Sequence, residues 1–235
     1  MSKHLVIAAG GTGGHMFPAQ ALAEEMLARG WTVALSTDDR GLRFAGGFPE
    51  AVERLATRAA TPARGGVAGA VTAPARILAG AGDAAAAFRR RRPAVVAGFG
   101  GYPSLPALLA AWRIGAPRMI HEQNGVLGRV NRLFDKRVGE VALGVEPVLN
   151  APAGAPLIYT GNPLRRAALE HVGRAYAPPP PEGPINLLIF GGSQGARIFS
   201  RAIPGALAKA PDALRARLRI TQQTRPEDQA ETARA

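Results

Sequence analysis

The stretch HLVIAAGGTGGH at residues 4–15 decides the fold. Its first half is an apolar run followed at once by glycines, a pattern typical of a buried parallel strand that enters a phosphate-type loop. Apolar residues at helical spacing from Pro18 to Arg29 predict a helix, with Pro18 in its first turn and Gly30 at its end. A second strand at 32–37 completes a β–loop–α–β unit, which typically begins an open α/β sheet.

The same pattern begins again near the end of the chain. Residues 185–190 predict a strand, 191–195 a glycine loop, and 196–209 a helix that leads to a strand at 218–221. Four consecutive prolines at 178–181 precede the repeat and predict a stiff extended segment. The sequence therefore predicts two Rossmann-like α/β domains, the first at residues 1–162 and the second, incomplete, at 163–235.

Further elements are predicted between the two units. Residues 60–92 are rich in Gly, Ala and Arg, and Pro62 and Pro74 are expected to break any long helix there. The remaining expectations are strands at 94–97, 118–122, 141–145 and 157–160, and helices at 75–91, 104–114 and 127–134.

Composition limits the classes of function. Lys and Arg total 29 against 17 Asp and Glu, so the formal charge of +12 favours phosphates, nucleic acid or an acidic membrane surface as partners. The chain has no Cys, which excludes disulfides, thiolate metal sites and a cysteine nucleophile. Because no segment has about 18 uninterrupted apolar residues, we expect a protein that is soluble or attached only to a membrane surface.

The first glycine loop carries candidate chemistry. Glycines at 10–14 let backbone N–H groups approach an anion, Thr12 adds a hydroxyl donor, and the helix that follows adds positive potential. The loop is neither a Walker A motif nor a regular dinucleotide fingerprint. His15 is either a packing or capping residue or, when neutral, a base that takes a proton from a sugar hydroxyl.

Three more motifs follow predicted strands. GFGGY at 98–102 is either a second anion cradle or a turn. HEQN at 121–124 ends a strand, where side chains contact ligands in parallel sheets, or it is a polar loop; a zinc HExxH motif is excluded by Gly125. GNPLR at 161–165 ends the first domain, and Arg165 is either solvated or able to reach a phosphate.

Together these segments resemble the MurG family of bacterial glycosyltransferases. The matching motifs are GGTGGH at 10–15, GFGGY at 98–102, HEQN at 121–124, GNPLR at 161–165 and GGSQGAR at 191–197. The resemblance implies a GT-B fold of two Rossmann-like lobes. It also implies an inverting transfer of N-acetylglucosamine from UDP-N-acetylglucosamine to the C4 hydroxyl of undecaprenyl-diphospho-N-acetylmuramoyl-pentapeptide, a step of peptidoglycan synthesis.

The resemblance also assigns residues to roles. Donor-binding residues would be Thr12, Gly13, Gly14, Asn124, Arg165 and Ser193. Loops that meet the acceptor diphosphate would contribute Gly11, Gly100, Gly101 and Tyr102. His15 is the favoured base, with Glu122 as the alternative. No metal or other cofactor is expected, since no Asp-x-Asp signature occurs and the adjacent Asp38 and Asp39 face different directions.

A lipid-linked acceptor implies a peripheral protein at the cytoplasmic face of the bacterial inner membrane. The basic helix around Ile77, Leu78, Phe88 and Arg89–Arg92 is the expected contact with anionic headgroups, or else a solvated helix end. The family extends about a third further than this chain. We therefore expect these 235 residues to lack most uridine contacts and to be inactive alone.

Two other classes remain as alternatives. A nicotinamide-dependent oxidoreductase is favoured by the first unit, with Asp38 or Asp39 as the ribose partner, but the glycine fingerprint is imperfect and the loop repeats. A nucleic-acid-binding module is suggested by the charge of +12, although aromatic residues make up only 6% and are not interleaved with the basic ones, so we expect no nucleic-acid partner.

Overall fold

The computed structural model describes residues 3–60, 66–192 and 195–234, and it divides into two compact units, Met1–Val172 and Gly173–Ala235. The division falls ten residues after the boundary expected at 162. The segment after Asn162 stays with the first unit because the Arg165 guanidinium lies over the Phe17 ring and the Arg166 N–H donates to Glu24.

A seven-stranded sheet forms the first unit, and every neighbouring pair of strands is parallel. The order across the sheet is β3-β2-β1-β4-β5-β6-β7. The strands are β1 (His4–Ala8), β2 (Thr32–Thr37), β3 (Glu53–Ala56), β4 (Val95–Gly98), β5 (Arg118–Glu122), β6 (Glu140–Leu143) and β7 (Leu157–Tyr159).

Helices lie between these strands in the chain, and a last short helix follows β7. They are α1 (Gly13–Ala28), α2 (Asp39–Arg43), α3 (Gly66–Arg90), α4 (Leu105–Arg113), α5 (Arg129–Phe134) and α6 (Arg166–Leu169), with short 3₁₀ turns at Ala45–Gly47 and Tyr102–Ser104.

Strand β1 has a neighbouring strand on each side, and an apolar cluster covers each of its two faces. Val6 and Ala8 belong to one apolar cluster, whereas Leu5 and Ile7 belong to the other, as the two-residue period of a strand requires. Two hydrophobic layers therefore cover the sheet, which explains why the opening sequence is continuously apolar rather than alternating.

The order of the strands places a crevice between β1 and β4. From β1 the chain proceeds outward to β2 and β3, and it then returns to β4 on the other side and continues to β7. Ligands of open parallel sheets bind at such a reversal, beyond the carboxyl ends of the strands. The loops after β1 and β4, which are both glycine-rich, leave the sheet at this point.

Helix α1 begins earlier than expected. Thr12 has extended backbone angles and is the N-cap, so Gly13 and Gly14 already form the first turn and Pro18 lies inside the helix instead of opening it. The expected start at Pro18 was wrong because Gly13 and Gly14 belong to the helix as well as to the glycine motif. The consequence is functional, since the helix N-terminus lies within the motif itself.

Helix α3 is also longer than expected. It runs continuously from Gly66 to Arg90 through Pro74, so the expectation of a break was wrong. Packing of α3 against α4 and against the loop after β3 outweighs the missing backbone hydrogen bond. Gly80 allows this approach, because a Cβ there would lie 1.8 Å from the Arg58 carbonyl oxygen.

The second unit contains a βαβ repeat. Strand β8 (Ile185–Ile189) pairs in parallel with β9 (Leu218–Gln222), and α7 (Arg197–Ala208) and α8 (Asp212–Arg215) lie between them in the chain. A 3₁₀ turn at Pro226–Asp228 and α9 (Gln229–Thr232) follow. The predicted strand–loop–helix–strand order of this segment is present.

No helix in the described part of the chain is long and apolar enough to cross a membrane.

We predict that the inner face of α3 is important for stability. Phe88 is 2% exposed and Leu78 is 67% exposed on the same helix. Replacing Phe88 with Ala should lower the free energy of unfolding by about 3–5 kcal/mol, because it empties a packed site. Leu78→Ala, the matched control, should change it by about 0.5 kcal/mol or less. Urea denaturation followed by circular dichroism measures both, and equal losses would contradict this packing.

Candidate functional site

The two glycine loops of the first unit touch through their backbones. A Cβ added at Gly101 would lie 2.7 Å from the Gly10 carbonyl oxygen, and one added at Gly10 would lie 2.5 Å from Pro103 Cβ. Gly101 also has φ +74, which favours glycine. The loops after β1 and β4 are therefore in direct contact at the reversal of the sheet.

His15 lies against this junction. A Cβ at Gly100 would be 3.3 Å from His15 Cε1, and one at Gly101 would be 3.6 Å from His15 Cδ2. The imidazole is half-buried, and its Nδ1 atom lies 3.0 Å from Gln123 Oε1 at the end of β5. The structure thus brings together His15, Gly100, Gly101 and the HEQN segment.

The N-terminus of α1 presents backbone donors beside His15. The N–H groups of His15 and Met16 both donate to the Thr12 carbonyl, so the amides of Gly13 and Gly14 precede the first intrahelical bond. The Thr12 side chain makes no capping bond. A helix start with free amides, a hydroxyl and a positive dipole end is suited to an anion.

Glu122 lies on the other side of the same strand end and is 1% exposed. Its Oε1 accepts from the backbone N–H and the side-chain amide of Asn124, and its Oε2 accepts from Gly128 N–H and from Asn131 Nδ2. Four donors therefore occupy this carboxylate. The arrangement stabilises the turn from β5 to α5 and leaves Glu122 poorly placed to receive a proton from a ligand.

His121 and Gln123 form the part of the HEQN segment that faces His15. Gln123 Nε2 lies 3.1 Å from His121 Nδ1, and His121 Nε2 lies 3.1 Å from the Gly161 carbonyl oxygen. Burial lowers the pKa of His121, against smaller raising effects from its bond to Gly161 and from Glu122. These contacts join the first loop, the end of β5 and the GNPLR motif.

Arg165 is held beside the start of α1. Its guanidinium carbon lies 4.1 Å from the centre of the Phe17 ring, a cation–π contact. The same ring covers Gly13, where a Cβ would lie 2.9 Å from Phe17 Cε2. Arg165 therefore adds positive charge near the helix N-terminus rather than extending freely into solvent.

The other predicted residues occupy varied positions. Asn124 is exposed, and its amide donates to Glu122. Tyr102 is half-buried against the apolar cluster beneath α4, and Gly11 is half-buried in the first loop. Ser193 lies outside the described residues, so its donor role stays a prediction.

Residues after β9 hold the glycine loop of the second unit. Gln223 accepts from the Gly191 N–H and donates to the Gly192 carbonyl, and Arg225 donates to the Gly195 carbonyl. Helix α7 starts directly after this loop, with Ala196 as its N-cap. The N-terminus of α7 resembles that of α1, because both offer backbone amides and neither has a side-chain cap.

Three residues that contact the candidate site were not predicted from the sequence. Gln123 is within a predicted motif but had no role of its own, and Phe17 and Asn131 had none at all. The helical spacing of Phe17 from Gly13 was a usable signal, because residues four apart on a helix lie on one face. Gln123 contacts His15 across 108 residues of sequence, and Asn131 contacts His121 ten residues before it; no sequence pattern indicates either contact.

Of the two ribose partners expected for the oxidoreductase alternative, Asp38 is engaged within the protein, whereas Asp39 is exposed. Asp38 accepts from the Gly41 N–H as the cap of α2, and its second oxygen pairs with Arg40.

Among residues 3–60, 66–192 and 195–234, no group of three or more His, Asp or Glu side chains could hold a metal ion.

Comparison with known proteins identifies relatives. The model of the glycosyltransferase family 28 N-terminal domain matches residues 5–143. The chain is 50% identical over 237 residues to the UDP-N-acetylglucosamine--N-acetylmuramyl-(pentapeptide) pyrophosphoryl-undecaprenol N-acetylglucosamine transferase of Caulobacter vibrioides (strain NA1000 / CB15N), covering 97% of this chain and 63% of that protein. The protein of that name from Mesorhizobium japonicum is 49% identical, with 95% and 60% covered.

Solved structures agree with the fold. The chain is similar to MurG of Acinetobacter baumannii, with a TM-score of 0.66 at 26% identity over 97% of this chain and 68% of that one. The calicheamicin glycosyltransferase CalG4 gives a TM-score of 0.61 at 16% identity, covering 95% and 66%, which shows the fold alone. The predicted α/β GT-B class is thereby confirmed, and the chain spans about 63% of the length of the first relative.

We predict that the contact between the two loops tolerates no side chain. Gly101→Ala should destabilise the first unit by about 2–5 kcal/mol, because a left-handed backbone and a clash with a backbone oxygen add together. Gly115→Ala is the matched control, since Gly115 has φ +65 but nothing within 4 Å of an added Cβ. It should lose only the backbone strain of about 1–2 kcal/mol. Urea unfolding compares the two, and equal losses would contradict the contact.

Proposed function

Since this chain belongs to glycosyltransferase family 28, we propose that its protein is an inverting, UDP-N-acetylglucosamine-dependent hexosyltransferase of peptidoglycan synthesis. The sugar moves to the C4 hydroxyl of undecaprenyl-diphospho-N-acetylmuramoyl-pentapeptide. Support comes from relatives at 49–50% identity, which are named as N-acetylglucosamine transferases of this kind. The observation that carries the proposal is the position of His15, in the first turn of α1 and against the contacting glycine loops.

His15 is the proposed general base. The acceptor hydroxyl gives its proton to the imidazole and attacks the anomeric carbon on the face opposite the leaving group. The new C–O bond forms as the bond to the diphosphate breaks, and UDP leaves with that electron pair. Glu122, the alternative base, is less suited because four N–H donors already occupy its two oxygens.

The negative charge of the leaving diphosphate needs a fixed positive environment. Gly13 and Gly14 supply backbone donors at the start of α1, Thr12 supplies a hydroxyl, and Arg165 supplies a guanidinium supported by Phe17. Asn124 and Ser193 complete the proposed donor contacts. Gly11, Gly100, Gly101 and Tyr102 are the proposed acceptor-diphosphate residues, since their loops flank His15.

A fusion protein tests the reaction and its base together. Residues 1–235 would replace the matching segment of the Caulobacter vibrioides relative, which is 50% identical. We expect transfer of labelled N-acetylglucosamine to the lipid-linked acceptor, and a loss of about 10²–10⁴-fold in His15→Gln. His171→Gln, at an exposed position, is the control and should retain activity.

Two outcomes would contradict the proposal. A folded fusion that transfers no sugar would remove the proposed reaction. A His15→Gln variant within about threefold of the parent rate would remove only the base assignment, since a general base contributes about 10²-fold or more.

We also propose peripheral attachment to an anionic membrane, at the cytoplasmic face. The apolar groove between α3 and α4 has a volume of about 570 Å³ and is lined by residues that include Leu78, Trp112, Arg89 and Arg113. Leu78 and Trp112 are 67% and 51% exposed, and Arg137 lies over the Trp112 ring. Exposed apolar residues surrounded by arginines suit anionic headgroups.

Part of the surface expected from the sequence faces inward. Phe88 is 2% exposed in the core, and Ile77 packs against the same cluster, so neither can enter a lipid layer. At about 100° per residue, Ile77 and Phe88 share one face of α3, and Leu78 is turned about a quarter of the way round the helix from them. The proposed contact therefore uses Leu78 and, in place of the inward residues, Trp112 of the neighbouring helix.

Vesicle sedimentation tests the membrane surface. Binding to phosphatidylglycerol vesicles should fall about tenfold or more in Arg89→Gln/Arg113→Gln, since each basic residue near the surface contributes about 1 kcal/mol. Leu78→Ser/Trp112→Ser should also weaken it. Leu188→Ser in the second unit, where Leu188 is 65% exposed, is the control and should bind as the parent does. Equal binding by all variants would contradict the proposed surface.

A further inference from the structure

An unbroken series of hydrogen bonds runs from His15 into the protein. His15 Nδ1 lies 3.0 Å from Gln123 Oε1, Gln123 Nε2 lies 3.1 Å from His121 Nδ1, and His121 Nε2 lies 3.1 Å from the Gly161 carbonyl oxygen. Gln123 is 8% exposed and His121 is 4% exposed. The series joins three separate motifs and ends on a backbone atom.

The chemistry of the partners determines the direction of each bond. Gln123 Nε2 also lies 3.0 Å from the His121 carbonyl oxygen, which can only accept, so this end of the amide is the NH₂ group. The other end, Oε1, is then an acceptor and requires a proton on His15 Nδ1. His121 Nδ1 must accept from the amide, so the proton of His121 is on Nε2 and is donated to Gly161.

His121 is well suited to stay in one neutral form. Its ring stacks on Phe99, with centroids 5.3 Å apart and an angle of 27° between the rings. Asn131 Nδ2 donates to its carbonyl oxygen at 3.2 Å. Burial lowers the pKa of the imidazole, which disfavours a second proton.

We propose that Gln123 and His121 are positioning residues that hold His15 in the tautomer with a proton on Nδ1 and a bare Nε2. The bare nitrogen receives the proton of the acceptor hydroxyl, so this inference rests on the proposed function. A neutral imidazole in water favours the opposite tautomer, in which Nε2 carries the proton and cannot act as a base. The series therefore selects the reactive form before substrate binds, as a second group does for other catalytic histidines.

Nitrogen NMR of the chain labelled in its histidine rings tests the tautomers without reference to activity. The sequence has four histidines: His4, His15, His121 and His171. In the neutral form of each ring, we expect His15 to carry hydrogen on Nδ1 and His121 to carry it on Nε2. A His15 ring with hydrogen mainly on Nε2 would overturn the proposal.

Two substitutions of Gln123 separate positioning from packing. Gln123→Leu removes the acceptor, so His15 should shift toward the Nε2–H form while the His4 and His171 signals stay unchanged. Gln123→Glu keeps an acceptor for His15 but loses the donor to His121, so His15 should keep its tautomer and His121 should gain a proton on Nδ1. Identical His15 spectra in the two variants would overturn the proposal, because a packing role predicts no difference between them.

The fusion protein adds the catalytic readout. Gln123→Leu should lower kcat by about 10²-fold with little change in KM, and Gln123→Glu should recover most of the loss. Normal turnover in Gln123→Leu, together with a changed tautomer, would overturn the positioning role. A parent fusion without transfer would contradict the proposed function, whereas the tautomer measurement would still decide on Gln123.

Discussion

The backbones of the two glycine loops in the first unit approach so closely that a side-chain carbon at Gly101 would lie 2.7 Å from the Gly10 carbonyl oxygen. This contact depends on the order of the strands, which puts β1 beside β4 although 86 residues lie between the end of β1 and the start of β4. His15 contacts the junction because α1 begins inside the first loop. The close contact between the two loop backbones therefore fixes the position of the site, and the side chains of the site surround that contact.

Polar side chains at the end of β5 have divided roles. Neighbouring residues on a strand point to opposite sides, so Glu122 faces α5, whereas His121 and Gln123 bond to each other on the other side, where Gln123 reaches His15. Glu122 is saturated by donors and stabilises the turn, whereas the other two form the hydrogen-bond series that reaches His15. One four-residue motif thus supplies both the support of the site and the contact to its proposed base.

Two groups of basic residues in the first unit have different surroundings. Arg165 lies over Phe17 at the N-terminus of α1, where backbone amides and the helix dipole also favour anions. Arg89 and Arg113 surround the apolar groove between α3 and α4, where Leu78 and Trp112 are exposed. The first environment suits a diphosphate in a polar crevice, and the second suits a surface with both headgroups and hydrocarbon.

The sequence by itself determined the α/β class, most strands and the position of every motif at a strand end. These features depend on local apolar runs and glycine spacing, which are visible without tertiary contacts. Only the tertiary structure decided the rest. Strand β3 and helix α2 are short and have few apolar residues, and α3 continues through Pro74 because of packing against α4. The partner of His15 is 108 residues away in the chain, so sheet order rather than any local pattern selects Gln123.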